Sequence, residues 1–271
     1  MSNAEIPGPS AVPGLERGIA ILRMFNRDRR ELTAPEIASE LKLPRSTVHR
    51  LLGCLADLDL LRRNPRSVFT LGAGVLMLGF EYIASQDIVS LSQPILERLR
   101  DETDCSCHLA VRDGRKIIYL ARVASRSAVS GTVGVGSVLP AHATMMGRLL
   151  LSDLEPLELM ALYKGRQLEA AGPQTPVTLP ALQALIDADR GRGFAISEGF
   201  FERGIGGVAA PVRDASGRMV AAINAVRHLG ENEAPVDIER LTKLVVAAGA
   251  DISALMGARP VSLPPSVMES V

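Results

Sequence analysis

The chain has no tryptophan, three tyrosines and six phenylalanines among 271 residues. A cage of aromatic side chains around a cationic ligand is therefore not expected. Cysteines number three, an odd count, which argues against a disulfide scaffold and fits a reducing cytoplasm. Net charge is absent, because 30 basic residues meet 30 acidic ones. Long apolar runs are also missing. The longest, Gly74 to Leu78 extended through Ile83, is interrupted by Glu81 and too short to span a bilayer, so no membrane partner is expected. No opening segment has the charged, apolar, small-residue order of a secretory signal. No Walker A sequence, no G-x-S-x-G elbow and no internal repeat occurs. What the chain does have is 47% apolar residues, enough for a core, in a length that fits one large or two ordinary domains.

The neutral total hides an asymmetry. Between Gly14 and Leu71 eleven basic residues face seven acidic ones, an excess of +4, and the remainder carries −4. Within that basic segment, Thr33 to Leu61 reads as helix, tight turn, helix. Thr33 can cap the first helix, Pro35 suits its first turn and Glu36 completes a capping box. Ile37, Ala38 and Leu41 form its apolar face. Pro44 biases Leu43 away from helical angles and breaks it. The second helix sets Val48, Leu51, Leu52 and Leu55 on one side, at the spacing of an amphipathic helix. Arg45, Ser46, Thr47, His49 and Arg50 occupy the other side. Such side chains donate to phosphates and base edges, and the arrangement is a helix-turn-helix whose second helix enters the major groove.

The flanks extend this reading. Leu15, Ile19, Leu22 and Phe25 mark a preceding helix that closes a three-helix core. Downstream, Leu60 to Arg63 and Val68 to Leu71 are two short strands around Asn64-Pro-Arg-Ser67. Arg62, Arg63 and Arg66 make this hairpin a basic wing beside the DNA backbone. The order is that of a winged helix-turn-helix. A charge excess of this size predicts weak monomer affinity, with dimerisation as the remedy.

Gly72 to Ser85 predicts a helix that is apolar almost all round, with Val75, Leu76, Met77, Leu78, Phe80, Tyr82 and Ile83. Such a helix must be buried on every side, with its own winged domain as one neighbour and the same helix of a second subunit as the other. The alternative is an ordinary core helix of a single merged domain. A new helix starts at Asp87 with Ile88, Leu91, Ile95 and Leu99. Cys107 to Arg112 and Lys116 to Val123 are strands joined at Asp113-Gly114. Ala128 to Val133 is a further expected strand, followed by a loop with Gly131, Gly134 and Gly136. A helix is expected from His142 to Leu151, with others over Glu155 to Tyr163 and Pro180 to Arg192. Phe194 to Ser197, Gly207 to Arg213 and Met219 to Arg227 are strands. A final helix carries Ile238, Leu241, Leu244, Val245, Ala248, Ile252 and Leu255. The class is α+β, with helices on an antiparallel sheet. The parts are a disordered start over 1–13, a winged domain over 14–71, a linker and dimerisation helix over 72–86, a second domain over 87–257 and a flexible tail over 258–271.

Several stretches then resemble one family, the isocitrate-lyase-regulator (IclR) family of bacterial transcription factors. They are Arg17-Gly-Ile-Ala-Ile-Leu, Arg45-Ser-Thr-Val-His-Arg-Leu-Leu, Gly136-Ser-Val-Leu-Pro-Ala-His-Ala, Gly147-Arg-Leu-Leu-Leu-Ser, Gly193-Phe-Ala and Gly207-Val-Ala-Ala-Pro-Val-Arg. The resemblance covers Gly14 to Gly257. It implies a GAF-like effector domain behind the winged domain, and a homodimer or dimer of dimers on a palindromic operator of double-stranded DNA. It also implies a small organic acid bound by backbone amides at a helix start, where Met145 and Met146 stand. Other implied pocket positions are Ser197, Gly207, Asn224 and Val226. Where the glyoxylate-responsive pattern has Asp, Cys and two Ser, this chain has Ser197, Gly207, Asn224 and Val226. The departure argues against glyoxylate. Two methionines and a glycine favour a roomier, more apolar cavity for an aromatic or longer-chain carboxylate held without a buried Lys or Arg.

Cys105-Ser-Cys107-His108 looks like a metal cluster, which His142 could complete. On a strand, however, the cysteines share one face and His108 takes the other, and no C-x-x-C or H-x-x-x-H spacing supports a metal. No cofactor is implied. Gly204 to Gly207 leads into a strand and is no dinucleotide fingerprint. Glu198 and Glu202 flank a turn. The leading reading is a ligand-responsive regulator without catalytic activity. The alternatives are a GAF-like thiol enzyme fused to a DNA-binding module, or a redox sensor, each using Cys105 or Cys107.

Overall fold

The computed structural model describes residues 12–26, 28–84, 87–126, 133–172, 174–198, 205–228 and 237–258. Contacts divide the chain into two units, Met1–Ser85 and Gln86–Val271.

In the first unit the order is α1 (Pro13–Arg23), β1 (Leu32–Thr33), α2 (Ala34–Glu40), α3 (Arg45–Asp57), β2 (Leu61–Arg63), β3 (Val68–Leu71) and α4 (Ala73–Ala84). The capping box forms as expected. The Glu36 carboxylate accepts from the Thr33 N–H at 2.7 Å and from its hydroxyl at 2.6 Å. Lys42 adopts a left-handed φ of 52°. The Leu43 N–H then reaches back to the Ala38 carbonyl at 3.0 Å, a Schellman closure of α2. Ile21, Ile37, Val48, Leu52 and Leu61 fill the centre of the core.

Two expectations change here. Leu15 and Ile19 are 65% and 41% exposed, while Gly18, Ala20, Ile21, Met24 and Phe25 are buried. The helix offers two apolar stripes, and packing takes the one with Gly18, whose missing side chain brings α1 against Leu55. The wing also gains a strand. β1 pairs with β3, giving the order β1-β3-β2. Two residues between a loop and a capping box are too few for any periodic signal.

The second unit runs α5 (Asp87–Thr103), β4 (Ser106–Asp113), β5 (Lys116–Val123), β6 (Val138–Pro140), a 3₁₀ turn (Ala141–Ala143), α6 (Met145–Leu151), α7 (Pro156–Tyr163), α8 (Leu179–Arg192), β7 (Ala195–Glu198), β8 (Ile205–Arg213), β9 (Met219–His228) and α9 (Ile238–Leu255). The strands form one antiparallel sheet in the order β6-β5-β4-β9-β8-β7. Alternation along each strand gives the sheet two buried faces. One face sets Cys107, Leu109, Ile223 and Ala225 against Leu96, Leu99, Val245 and Ile252 of α5 and α9. The other sets Ala110, Tyr119, Ala209 and Ala222 against Met146 and Leu149 of α6 and Leu182 and Ile186 of α8.

The helix expected from His142 starts later. His142 lies in the 3₁₀ turn and Thr144 caps α6, its oxygen accepting from the Gly147 N–H at 3.1 Å. Val138–Pro140 is an edge strand paired to β5. Pro140 lacks an N–H, so the strand stops there and the chain must turn before it can enter a helix. The expected strand at 128–133 falls almost wholly outside the described residues, as do Gly131, Glu202, most of the N-terminal segment and most of the tail.

Candidate DNA-binding surface and effector site

On α3, Val48, Leu52 and Leu55 are buried. Arg45, Ser46, His49 and Arg50 are exposed, and Thr47 is half-buried. Pro44 caps the helix without a side-chain acceptor, so the first N–H groups of α3 remain available to an anion such as phosphate. Among the described residues neither Arg45 nor Arg50 has an ion-pair partner, whereas Arg29 is tied to Glu40 at 2.9 Å. The wing turn is fixed by the Asn64 side chain, which accepts from the N–H groups of Arg66 and Val68, each at 3.0 Å. Arg63 donates to the Ser67 hydroxyl at 2.7 Å and lies over the Phe69 ring. Arg66 projects from the turn, exposed.

In the second unit the pairing register gathers residues far apart in sequence. Ser197, Gly207, Val226 and Ser106 lie side by side on β7, β8, β9 and β4. The adjacent row is Ala195, Ala209, Asn224, His108 and Arg122. Residues directly opposite in an antiparallel pair share a face, so both rows line the α6 side of the sheet. Four of the six expected positions are thereby brought together. α6 packs across these strands. Its Met145 is half-buried, and Met146 is fully buried in the core. The Met146 side chain is therefore packing and not a cavity wall. Gly147 touches the preceding turn so closely that a Cβ would sit 2.2 Å from the Ala141 oxygen.

Gly207 does not make room for a ligand. A Cβ there would meet the Ala225 oxygen at 2.2 Å and Val226 Cγ1 at 2.8 Å. The residue is glycine because β8 and β9 approach too closely for any side chain. A buried arginine does lie on α6. Arg148 of α6 is 2% exposed and donates to Asp189 of α8, itself 1% exposed, at 2.8 Å. Arg192 holds the other carboxylate oxygen at 2.6 Å. Asp189 thus anchors the helix that leads the site.

His108 and Arg122 are polar residues of this face that sequence reasoning left aside. His108 Nδ1 lies 2.9 Å from Asn224 Oδ1, and the imidazole meets the Tyr119 ring edge-on. Burial pushes the His108 pKa down to about 4. The Asn224 hydrogen bond opposes this and the Arg122 charge adds to it. The signal was available, since the alternation that separates His108 from the cysteines places it beside Asn224.

Cys105 and Cys107 sit on the opposite face, buried among α5 and α9. Burial raises both thiols, that of Cys107 well above the ordinary cysteine range, and a protonated buried thiol is a poor nucleophile. His142 bonds the Glu169 carbonyl at 3.0 Å. Among the described residues no group of three His, Cys, Asp or Glu could hold a metal, and no helix is long and apolar enough to cross a membrane. A cleft of about 460 Å³ opens beside Ser152, Arg190 and Met219. Arg213–Asp153 pairing at 3.0 Å and Arg190 bonds to the Ser152 and Leu154 carbonyls satisfy its charges. It contains none of the residues of the two rows.

A winged helix-turn-helix joined to an α+β effector domain defines a DNA-binding transcriptional regulator. Residues 14–65 match the family model for the IclR helix-turn-helix domain, and residues 80–254 match that for the bacterial transcriptional regulator IclR C-terminal region. The chain belongs to the IclR family. It is similar to the Pca regulon regulatory protein of Pseudomonas putida, with 32% identity over 90% of this chain and 84% of that protein. It is also similar to the transcriptional repressor AllR of Klebsiella pneumoniae, with 30% identity over 93% and 94%. Among solved structures, an IclR homologue from Microbacterium hydrocarbonoxydans complexed with 4-hydroxybenzoate superposes with a TM-score of 0.76 at 26% identity, covering 89% of this chain and 98% of that one.

Proposed function

We propose that this regulator senses an aromatic acid and acts, without turning it over, on a palindromic operator in the cytoplasm. Residues 14–71 serve as the DNA-binding part, 72–86 as linker and 87–257 as sensor. Arg45, Ser46, Thr47, His49 and Arg50 enter the major groove, while Arg63 and Arg66 hold the flanking phosphates. The exposed apolar face of α4 pairs two protomers, as a homodimer or dimer of dimers. The acid lies between the start of α6, where the Met145 and Met146 amides face it, and the strands bearing Ser197, Gly207, Asn224 and Val226.

The observation that carries the reading is the register. It sets Ser197, Gly207, Asn224 and Val226, from three strands, on the face of the sheet against which α6 packs. The neighbour bound to 4-hydroxybenzoate favours an aromatic acid, and the absence of the Asp, Cys and Ser residues of the glyoxylate-responsive pattern argues against glyoxylate. The test is fluorescence anisotropy on the intergenic DNA beside the gene, with and without a panel of aromatic acids. At least one acid should shift the binding curve and be recovered unchanged. Arg45→Ala and Arg50→Ala should each weaken binding by about 1–3 kcal/mol. Wild-type affinity in both variants would refute the surface assignment. A panel that leaves both the binding curve and the melting temperature unmoved would refute the effector class.

A further inference from the structure

We infer that His108, Asn224 and Arg122 form the hydroxyl-selecting end of the effector site, so that the effector is a hydroxylated aromatic acid. This rests on the reading that the α6 face of the sheet takes an aromatic acid, and adds to it a second recognised group.

The three residues are neighbours across β5, β4 and β9, by direct pairing of Arg122 with His108 and of His108 with Asn224. His108 and Asn224 are each 5% exposed. An amide oxygen can only accept, so the 2.9 Å contact between Asn224 Oδ1 and His108 Nδ1 places the imidazole proton on Nδ1. Nε2 then carries a bare lone pair. The Asn224 amide nitrogen keeps its hydrogens to donate. Beside them Arg122 Nε is fully buried and, among the described residues, has no acceptor. A guanidinium can only donate, and a buried donor without a partner calls for one.

One acceptor and a set of donors therefore stand together on the sheet. A hydroxyl fits this arrangement, because it gives its proton to Nε2 and accepts from Arg122 or the Asn224 amide. A carboxylate does not fit, since it would turn its oxygens toward the Nε2 lone pair. A methyl group or a bare ring edge would leave the buried Arg122 Nε without an acceptor. Burial and the Arg122 charge hold the imidazole neutral at neutral pH, which preserves its role as acceptor. Tyr119, set edge-on to His108, fixes the ring orientation.

The test is isothermal calorimetry on the full chain with benzoate, 3- and 4-hydroxybenzoate, 3,4-dihydroxybenzoate and 3- and 4-methylbenzoate. At least one hydroxylated acid should bind about tenfold or more tightly than its methyl counterpart and benzoate, as expected of a site built to hydrogen-bond a hydroxyl. In His108→Phe that preference should fall to within about twofold. Arg122→Met, at a half-buried position, should reduce the preference in the same direction and guards against a folding failure of the first variant. Equal binding of hydroxylated and methylated acids by the wild type would overturn the inference and leave the acid-sensing reading standing. So would a preference that survives Arg122→Met and every folded His108 variant. Loss of all acids, benzoate included, in a folded Arg122→Met protein would also overturn it, by assigning the arginine to the carboxylate. Failure of the wild type to bind any of these acids would refute the broader reading, and this inference with it.

Discussion

Helices α4 and α6 are apolar to a similar degree and meet opposite fates. In α4, Leu76 is 74% and Phe80 60% exposed, with Met77, Leu78 and Tyr82 exposed beside them. In α6, Met146 and Leu149 to Leu151 are all buried. Each helix carries one charge. Glu81 of α4 is exposed, whereas Arg148 of α6 is enclosed and answered by Asp189. An apolar helix declares that it needs a partner but not who supplies it. For α6 the supplier is its own sheet together with α8. α4 leaves its apolar surface open, which is the property expected of a surface that meets another copy.

That contrast can be broken most severely at Asp189. Replacing it with Asn leaves Arg148 as a buried, uncompensated charge and should cost roughly 3–5 kcal/mol. Urea titration should show the second unit unfolding early and the first unit unmoved. A variant as stable as wild type would mean that Arg148 finds another acceptor. Acid should separate the two units next. Unfolded, His108 takes a proton near pH 6.5; folded, only near pH 4. Between those values the unfolded chain binds more protons, so stability is full above pH 6.5 and falls as pH drops toward 4, by roughly 3 kcal/mol in all. The slope belongs to the second unit, which holds His108. The slope should also vanish in His108→Phe. At α4, Phe80→Glu should leave each unit's unfolding midpoint in place but weaken association, by roughly 1.5–3 kcal/mol for each side chain no longer buried. Sedimentation velocity over a dilution series measures this, and an unchanged constant would remove α4 from the interface. The smallest effects come from a matched pair of glycines. Gly147→Ala pushes a Cβ to within 2.2 Å of a backbone oxygen, while at Gly79 nothing lies within 4 Å. The first should lose roughly 1–3 kcal/mol, and the second should gain up to about 1 kcal/mol from helix propensity. Equal shifts in thermal melts would contradict the packing difference.

Much of this architecture was legible in the residues because the signals are local. The capping box at Thr33 and Glu36, the Lys42–Pro44 break and the Asp113-Gly114 turn each act within four residues, and each lies where it was expected. The exposed side of α3 followed from a simple period. The errors arose where two local answers were equally good or where the deciding contact is distant. α1 offers two apolar stripes, and only the position of α3 chooses between them. β6 is three residues ending in a proline, visible only through its partner β5. Gly207 looked like space for a ligand because its constraint comes from the backbone of β9. In sequence His108 stands beside the cysteines, whereas its hydrogen-bond partner is Asn224. Arg148 gave no hint of burial, since Asp189 lies on another helix.

The pairing of β4 with β9 also sets an order of events during synthesis. The hydrogen bond between His108 and Asn224 joins residues 116 positions apart, and neither row of the sheet is complete until β9 has been made. Contacts of such separation form late, because a long loop must close first. The winged unit, by contrast, is built from neighbours in sequence and emerges early from the ribosome. A nascent chain can therefore present its DNA-reading surface well before it can respond to any signal, and a message broken upstream of β9 would leave a binder that is deaf to its effector.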